Sequence, residues 1–228
     1  MLAQRLNATL QSLENAAIAG HRPVPRLLAV SKTQTAASIA TLAAAGQHAF
    51  GENYVQEARA KILELAAQGL EWHLIGHLQS NKAELAAGLF DWVQTVDRLK
   101  LVAALANSRS PDRAPLNVLI QVNIDDEASK HGCDPQAIAG LAAAIDAEPR
   151  LALRGLMAIP APHPQLEMRR AAYRRMAGLF TDLAAQHPRA DTLSMGMSDD
   201  FPLAVAEGAT MVRIGTALFG RREAGGGN

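Results

Sequence analysis

Short apolar runs alternate with longer alanine-rich stretches along most of the chain. The short runs have the length of buried strands, whereas the longer stretches repeat apolar residues at helical spacing. The predicted strands are residues 27–31, 48–51, 72–75, 92–95, 117–123, 153–157, 192–195 and 211–214. The predicted helices are residues 2–19, 36–45, 54–67, 81–87, 98–107, 135–147, 165–186 and 201–207.

This order of elements predicts an α/β fold, a single (β/α)8 barrel. Regular strand–helix alternation produces a parallel sheet covered by helices, and eight repeats are the number that closes such a barrel. An open doubly wound sheet is the competing fold, but no Gly-x-Gly-x-x-Gly turn follows the first strand. No long linker divides the chain, so we expect one domain over residues 1–228, with 222–228 as a disordered glycine-rich tail.

Composition excludes several classes of function. Lys and Arg number 22 and so do Asp and Glu, which favours neither nucleic acid nor an anionic membrane as a partner. No apolar run approaches the ~20 residues of a membrane span, and the N-terminus lacks the layout of a secretory signal. Cys133 is the only cysteine, so no intrachain disulfide forms and a cytoplasmic protein is expected.

Lys32 is the first candidate for chemistry, because it follows the first predicted strand. Active sites of such barrels lie at the carboxyl ends of the strands. If the strand continues through residue 32, Lys32 shares a face with Leu28 and Val30. Desolvation there lowers the pKa of a lysine and makes its amine a nucleophile for a Schiff base. The alternative is that Lys32 has left the strand and is solvated in the following loop.

The ends of the last two strands predict an anion site and an inward cation. Gly215, Thr216 and Ser198 supply backbone N–H groups and hydroxyls where many barrels bind phosphate. Ser198 could instead be the N-cap of the helix that follows it. Arg213 shares a face with Met211 and Gly215, so it points into the barrel if its neighbours pack against helices. A structural pair with a carboxylate is the alternative for this arginine.

A strand-end lysine, an inward arginine and a phosphate site together suggest pyridoxal 5′-phosphate (PLP) as the cofactor. In PLP proteins a lysine forms the internal aldimine, loops hold the phosphate and a protein group faces the pyridine nitrogen. An arginine at that nitrogen keeps it unprotonated, so the ring becomes a weaker electron sink than one paired with an aspartate.

Six segments, between them, resemble the pyridoxal phosphate homeostasis proteins. They are LAVSKT at 28–33, FGENYVQE at 50–57, WHLIGHLQSNK at 72–82, RGLMAIP at 154–160, LSMGMSDD at 193–200 and MVRIGT at 211–216. The resemblance implies a PLP-binding barrel similar to the N-terminal domain of alanine racemase, with Lys32 as the aldimine lysine. It implies the following further contacts: Ser198, Gly215 and Thr216 on the phosphate, Arg213 at the ring nitrogen, Met197 and Asn53 along the cofactor, and Lys130 as a second lysine that handles PLP.

Other polar residues keep two interpretations each. His73 is either a cofactor neighbour or a hydrogen-bonded barrel residue, and its spacing to His77 does not suit a metal in a strand. Glu52 is either a general acid or base or the N-terminal acid of the next helix. Cys133 stands beside a turn and is taken as incidental rather than as a nucleophile.

The sequence therefore predicts a PLP carrier or buffer in vitamin B6 homeostasis, without robust catalysis. PLP-dependent apoenzymes are the expected recipients, and a monomer is expected. One alternative is an amino-acid racemase, but related racemases take a second catalytic tyrosine from a C-terminal β domain, whereas Tyr54 and Tyr173 both precede the last strand. Another alternative is a Schiff-base aldolase without a cofactor, its phosphate site holding a sugar phosphate.

Overall fold

The computed structural model describes residues 1–125, 131–161 and 163–220. Its strands in chain order are β1 Arg26–Val30, β2 Ala49–Glu52, β3 Glu71–Leu74, β4 Trp92–Val96, β5 Leu116–Gln121, β6 Leu151–Met157, β7 Thr192–Met197 and β8 Met211–Ile214. Its α-helices are α1 Leu2–Gly20, α2 Ala36–Ala44, α3 Val55–Glu64, α4 Ala83–Leu89, α5 Leu99–Ser108, α6 Ile138–Asp146, α7 Leu166–Gln186, α8 Phe201–Ala206 and α9 Thr216–Phe219. The predicted tail lies outside the described residues.

The strands of the described chain form a closed parallel barrel in sequential order. Each strand pairs in parallel with the next, and β8 returns to pair with β1, where Leu28 lies opposite Arg213. Helices connect the strands and surround the barrel, which is the arrangement that right-handed parallel crossovers produce. The predicted (β/α)8 barrel is confirmed, and the open doubly wound sheet is wrong.

The alternation of side chains along the strands separates an outer apolar layer from the barrel interior. Val212 and Ile214 belong to the large core between the barrel and its helices. Met211 packs inside the barrel with Leu28, and Arg213 is buried on the same face. The predicted inward direction of the arginine is therefore confirmed. The interior is not uniformly apolar, because a histidine, a glutamine and a serine are also buried there.

Most boundaries differ from the predicted ones by a residue or two, and two of the differences have clear local causes. The first strand ends at Val30 because Ser31 turns away: its carbonyl accepts a hydrogen bond from the Gln34 N–H at 3.0 Å. The predicted helix over 135–147 begins as a 3-10 turn, Pro135–Ala137, before α6. No helix in the described ranges is both long and apolar enough to cross a bilayer.

Candidate functional site

A cavity of about 260 Å³ opens at the carboxyl ends of β1, β2, β3, β6, β7 and β8. Its lining comprises Val30, Lys32, Asn53, Ile75, Ile159, Met197, Ser198, Asp199, Arg213, Gly215 and Thr216. The structure therefore brings together seven of the residues that the sequence analysis assigned to a cofactor. Sequence reasoning missed the apolar lining residues Val30, Ile75 and Ile159, because an apolar side chain at a strand end does not by itself indicate a binding site.

Lys32 lies at the rim of this cavity in a tight turn, not on the buried face of a strand. The turn spans residues 31–34, and Lys32 is exposed there. Thr33, at its third position, has φ 64°, a conformation that β-branched residues avoid at a cost of about 1–3 kcal/mol. The expectation that desolvation in a strand activates Lys32 is wrong, because the strand stops two residues earlier. The solvated alternative is the one that the structure adopts, although Lys32 still lines the cavity.

A buried ion cluster holds the strained turn in place. The Thr33 N–H donates to Glu57 Oε1 at 2.5 Å, and Lys61 Nζ donates to the same oxygen at 2.6 Å and to the Ser31 carbonyl at 2.9 Å. Lys61 is 8% exposed although it belongs to a surface helix. Sequence reasoning missed Lys61, and its only signal was the i, i+4 spacing to Glu57 on α3. The cluster fixes the backbone on both sides of Lys32.

Glu52 is the innermost member of this cluster and takes neither of its predicted roles. Its Oε1 accepts hydrogen bonds from Ser31 Oγ at 2.5 Å and Lys61 Nζ at 2.9 Å, and the side chain has no exposed surface. It lies on β2, before the first turn of α3, and does not line the cavity. Burial raises the pKa of the Glu52 carboxyl, and the two hydrogen bonds act against that shift. Its role is structural.

The end of β7 presents Met197 and Ser198 to the cavity. Asp200, not Ser198, occupies the N-cap position of α8, and Asp200 Oδ1 accepts from the Met197 N–H at 2.8 Å. The capping alternative for Ser198 is therefore wrong. Met197 is 41% exposed although it is apolar. The neighbouring Gly196 has φ +90°, and this left-handed conformation turns the chain from β7 into the cavity rim.

Gly196→Ala is expected to destabilise the protein by at least about 2 kcal/mol. A non-glycine residue pays about 1–2 kcal/mol for a left-handed backbone, and the added Cβ would lie 2.5 Å from Ala204 Cβ. Gly178→Ala on α7 is the matched control, since its Cβ meets nothing within 4 Å and alanine favours a helix. Urea unfolding of both variants measures the difference. A Gly196→Ala protein as stable as the native one would contradict this account of the turn.

Gly215 and Thr216 lie where β8 leads into α9, at the rim of the cavity. A Cβ at Gly215 would lie 3.2 Å from the Val30 carbonyl oxygen and 3.3 Å from Val30 Cβ. Glycine is thus required first for the close approach of β1, rather than for access by a ligand. Gly215 is the N-cap of α9, and the first N–H groups of any helix lack intrahelical partners. Thr216 is exposed and places its hydroxyl at the same rim.

Arg213 forms the floor of the cavity and is 4% exposed. Its Nη1 donates to Ser194 Oγ at 2.7 Å and its Nη2 to the Ala158 carbonyl at 2.8 Å, which leaves other N–H groups for the cavity. Burial lowers the pKa of this guanidinium to about 10, while Tyr173 and Asp200 act in the opposite direction. Among the described residues it has no carboxylate within ion-pair distance, so the predicted alternative of a structural carboxylate pair is wrong.

His73 lies inside the barrel and does not line the cavity, so its assignment as a cofactor contact is corrected. Its ring is fully buried, stacks on Trp92 with centroids 5.1 Å apart and bonds to Glu71 and Gln94. Burial lowers the pKa of His73, and the Glu71 carboxylate acts against the shift. The structure adopts the other predicted interpretation, a hydrogen-bonded barrel residue.

The remaining candidates lie away from the cavity or beyond the described chain. Cys133 is buried, and burial raises the pKa of its thiol to about 12, which suits an incidental residue. Lys130 lies outside the described residues. A second and larger cavity of about 410 Å³ lies beside the first and shares Asn53 with it. His77 lines that second cavity and stacks on His131, with ring centroids 3.8 Å apart.

Known proteins resemble this chain in both sequence and fold. The model of the alanine racemase N-terminal domain matches residues 3–223. A pyridoxal phosphate homeostasis protein of Escherichia coli (strain K12) is 54% identical over 200 residues, which cover 86% of each chain. The structure of PipY from Synechococcus elongatus PCC7942 with PLP bound is 37% identical, has a TM-score of 0.82 and is matched over 96% of this chain and 100% of its own.

Alanine racemases share the fold at much lower sequence identity. The alanine racemase of Corynebacterium glutamicum is 20% identical with a TM-score of 0.69, and the match covers all of this chain but 62% of the racemase. At this identity the likeness concerns the barrel alone.

Proposed function

Because this chain belongs to the pyridoxal phosphate homeostasis proteins, a family with the alanine racemase N-terminal fold, we propose that it binds PLP in the cavity above Arg213. The observation that carries this proposal is the meeting of Lys32, Arg213 and Thr216 in a single cavity. These side chains come from the ends of neighbouring strands β1 and β8, whose register places Arg213 beside Leu28 and therefore below Lys32.

The lining of the cavity fits PLP group by group. PLP supplies an aldehyde that condenses with a primary amine, and water leaves as the carbon–nitrogen double bond forms. Lys32 is the amine at the rim, and Thr216 and Ser198 offer hydroxyls for the phosphate. Arg213 donates from the floor toward the ring nitrogen, and Met197 supplies an apolar contact for the ring. Asn53, directly after β2, borders the same space.

The phosphate and ring contacts are tested by paired substitutions. We expect Arg213→Ala to weaken PLP binding about tenfold or more, since a hydrogen bond from a charged group is worth about 1.5–3 kcal/mol. Thr216→Ala is expected to cost several-fold. Titration of absorbance with PLP measures both, and Thr181→Ala on α7, whose hydroxyl donates to the Ala177 carbonyl, is the matched control. Unchanged affinity in both site variants would refute this assignment of the cavity.

We propose further that the protein holds PLP without robust catalysis. Racemisation needs acid–base groups on both faces of a substrate. The Tyr173 hydroxyl donates to Asp200 Oδ2 at 2.8 Å and burial raises the pKa of that hydroxyl, so it is a poor acid or base. Tyr54 lines the second cavity instead. These placements support a carrier or buffer over a racemase, and an assay of amino-acid racemisation by the PLP-loaded protein separates the two.

The cofactor-free aldolase makes the opposite prediction about the purified protein. A carrier should show a visible absorption band after addition of PLP, whereas an aldolase of this kind would need none. We propose PLP-dependent apoenzymes as recipients, a monomeric state and a cytoplasmic location. Lys130 keeps its implied role in handling PLP as a proposal, to be tested by comparing PLP release from the Lys130→Ala variant with release from the native protein.

A further inference from the structure

A chain of polar side chains, buried from His73 onward, crosses the barrel from its amino-terminal end to the cavity floor. Arg26 Nη2 lies 2.8 Å from Glu71 Oε1, and the same carboxylate oxygen contacts His73 Nε2. Gln94 Nε2 lies 2.9 Å from His73 Nδ1. Gln94 Oε1 accepts from Ser194 Oγ at 2.7 Å, and Ser194 Oγ accepts from Arg213 Nη1 at 2.7 Å. Gln94, Ser194 and His73 have no exposed surface.

The direction of every hydrogen bond in this chain follows from its ends. The Glu71 carboxylate only accepts, because His73 and Arg26 lower its pKa to about 2 against the raising effect of burial, so His73 Nε2 carries the proton. The His73 ring is kept neutral by burial, hence Nδ1 accepts and Gln94 must donate its amide N–H. The carbonyl oxygen of Gln94 then faces Ser194 and accepts the hydroxyl proton. The lone pairs of Ser194 Oγ are left for Arg213.

From this one-way order we propose that Gln94 is a positioning residue for Arg213, acting through the Ser194 hydroxyl. Gln94 accepts the Ser194 hydroxyl proton and so fixes the orientation of that hydroxyl. The oxygen of the oriented Ser194 then accepts a hydrogen bond from Arg213 Nη1. The guanidinium is thereby held in one orientation, with its other N–H groups free for the cavity. Hydrogen bonds in such a chain polarise one another, so removing one member affects the rest.

The choice of residue supports this role. Gln94 donates through Nε2 and accepts through Oε1, which its place between His73 and Ser194 in this one-way order requires. Its amide is fixed further by a contact of Nε2 with Met211 Sδ at 3.2 Å. A carboxylate at this position could not donate to His73, and an apolar residue could not orient Ser194.

Gln94→Met tests the inference, because methionine keeps the volume and removes both hydrogen bonds. Gln47→Met is the matched control: Gln47 is also buried, but its Nε2 donates to the Leu27 and Ala49 carbonyls, outside the chain. In protein without PLP, ¹⁵N NMR should resolve a slowly exchanging Arg213 guanidinium signal, assigned by its loss in Arg213→Lys. We expect Gln94→Met to broaden or lose this signal and Gln47→Met to keep it. An unchanged signal in Gln94→Met overturns the proposal.

The consequence for binding rests on the proposed function and is read separately. We expect Gln94→Met to weaken PLP affinity about tenfold, and the double variant Gln94→Met/Ser194→Ala to bind no more weakly than Ser194→Ala alone. Additive losses, or an equal loss in Gln47→Met, would overturn the route through Ser194. A native protein that does not bind PLP would refute the proposed function, while the NMR result would still decide whether Gln94 orients Arg213.

Discussion

Lys32→Ala is expected to abolish the covalent attachment of PLP while the barrel stays folded. Lys32 is exposed in a turn and makes no packing contact that alanine would remove from the core, so stability should change by less than about 0.5 kcal/mol. The visible absorption of the Schiff base should disappear. Borohydride reduction followed by peptide mapping should place a pyridoxyl group on Lys32 in the native protein and none at that position in the variant.

Two controls test whether the effect of Lys32→Ala comes from the loss of the amine. One separates the amine from its positive charge, and the other separates Lys32 from an exposed lysine elsewhere. Lys32→Arg keeps a cation at the rim but cannot form the linkage, so it should behave like Lys32→Ala in the spectrum. Lys100→Ala, on an exposed position of α5, should leave the spectrum unchanged. If the Lys32→Ala variant keeps the native absorption, the assignment fails and Lys130 becomes the next lysine to map.

Lys61→Met is expected to have the largest effect on stability, a loss of about 3 kcal/mol in the free energy of unfolding. Removing one partner of a buried ion pair leaves the other uncompensated, and the Glu52 side chain has no exposed surface. The Ser31 carbonyl and Glu57 lose the same donor, so the strained turn at Thr33 also loses support. Chemical denaturation of both proteins measures the change.

The double variant Glu52→Gln/Lys61→Met identifies the cause. If the cost comes from the unpaired Glu52 carboxylate, neutralising it should restore part of the lost stability, and the two changes should not add. Lys100→Met serves as the exposed control and should change stability by less than about 0.5 kcal/mol. A Lys61→Met protein within that margin of the native value would show that the cluster does not stabilise the turn.

The architecture was predictable because the spacing of apolar residues and the alternation of strands and helices are both visible in the sequence. The alternation along residues 211–214 predicts that Arg213 points into the barrel, and the structure confirms that direction. The end of β1 was not predictable in the same way. Ser31 continues the apolar run, and only the turn bond from Gln34 and the cluster around Lys61 terminate the strand.

The candidate site was predicted where its residues are chemically unusual and missed where they act through others. Lys32, Thr216 and Arg213 were evident from strand-end positions, and all three line the cavity. Gln94 and Ser194 gave no such signal, because a single polar residue in a short strand has no periodicity of its own. The misassignment of His73 has the same origin: its position on β3 fixes its height in the barrel, but its partners come from other strands.

The exposed turn that carries Lys32 has a consequence for how long PLP would stay bound. A Schiff base is reversed by water and exchanges with free amines, and both reagents reach an amine at the rim without any opening of the barrel. Arg213 and the side chains behind it are buried in the floor of the cavity, away from that exposed amine. Loading and release would then proceed at the rate of imine chemistry rather than of a conformational step, so the occupied fraction would follow the surrounding supply of aldehyde.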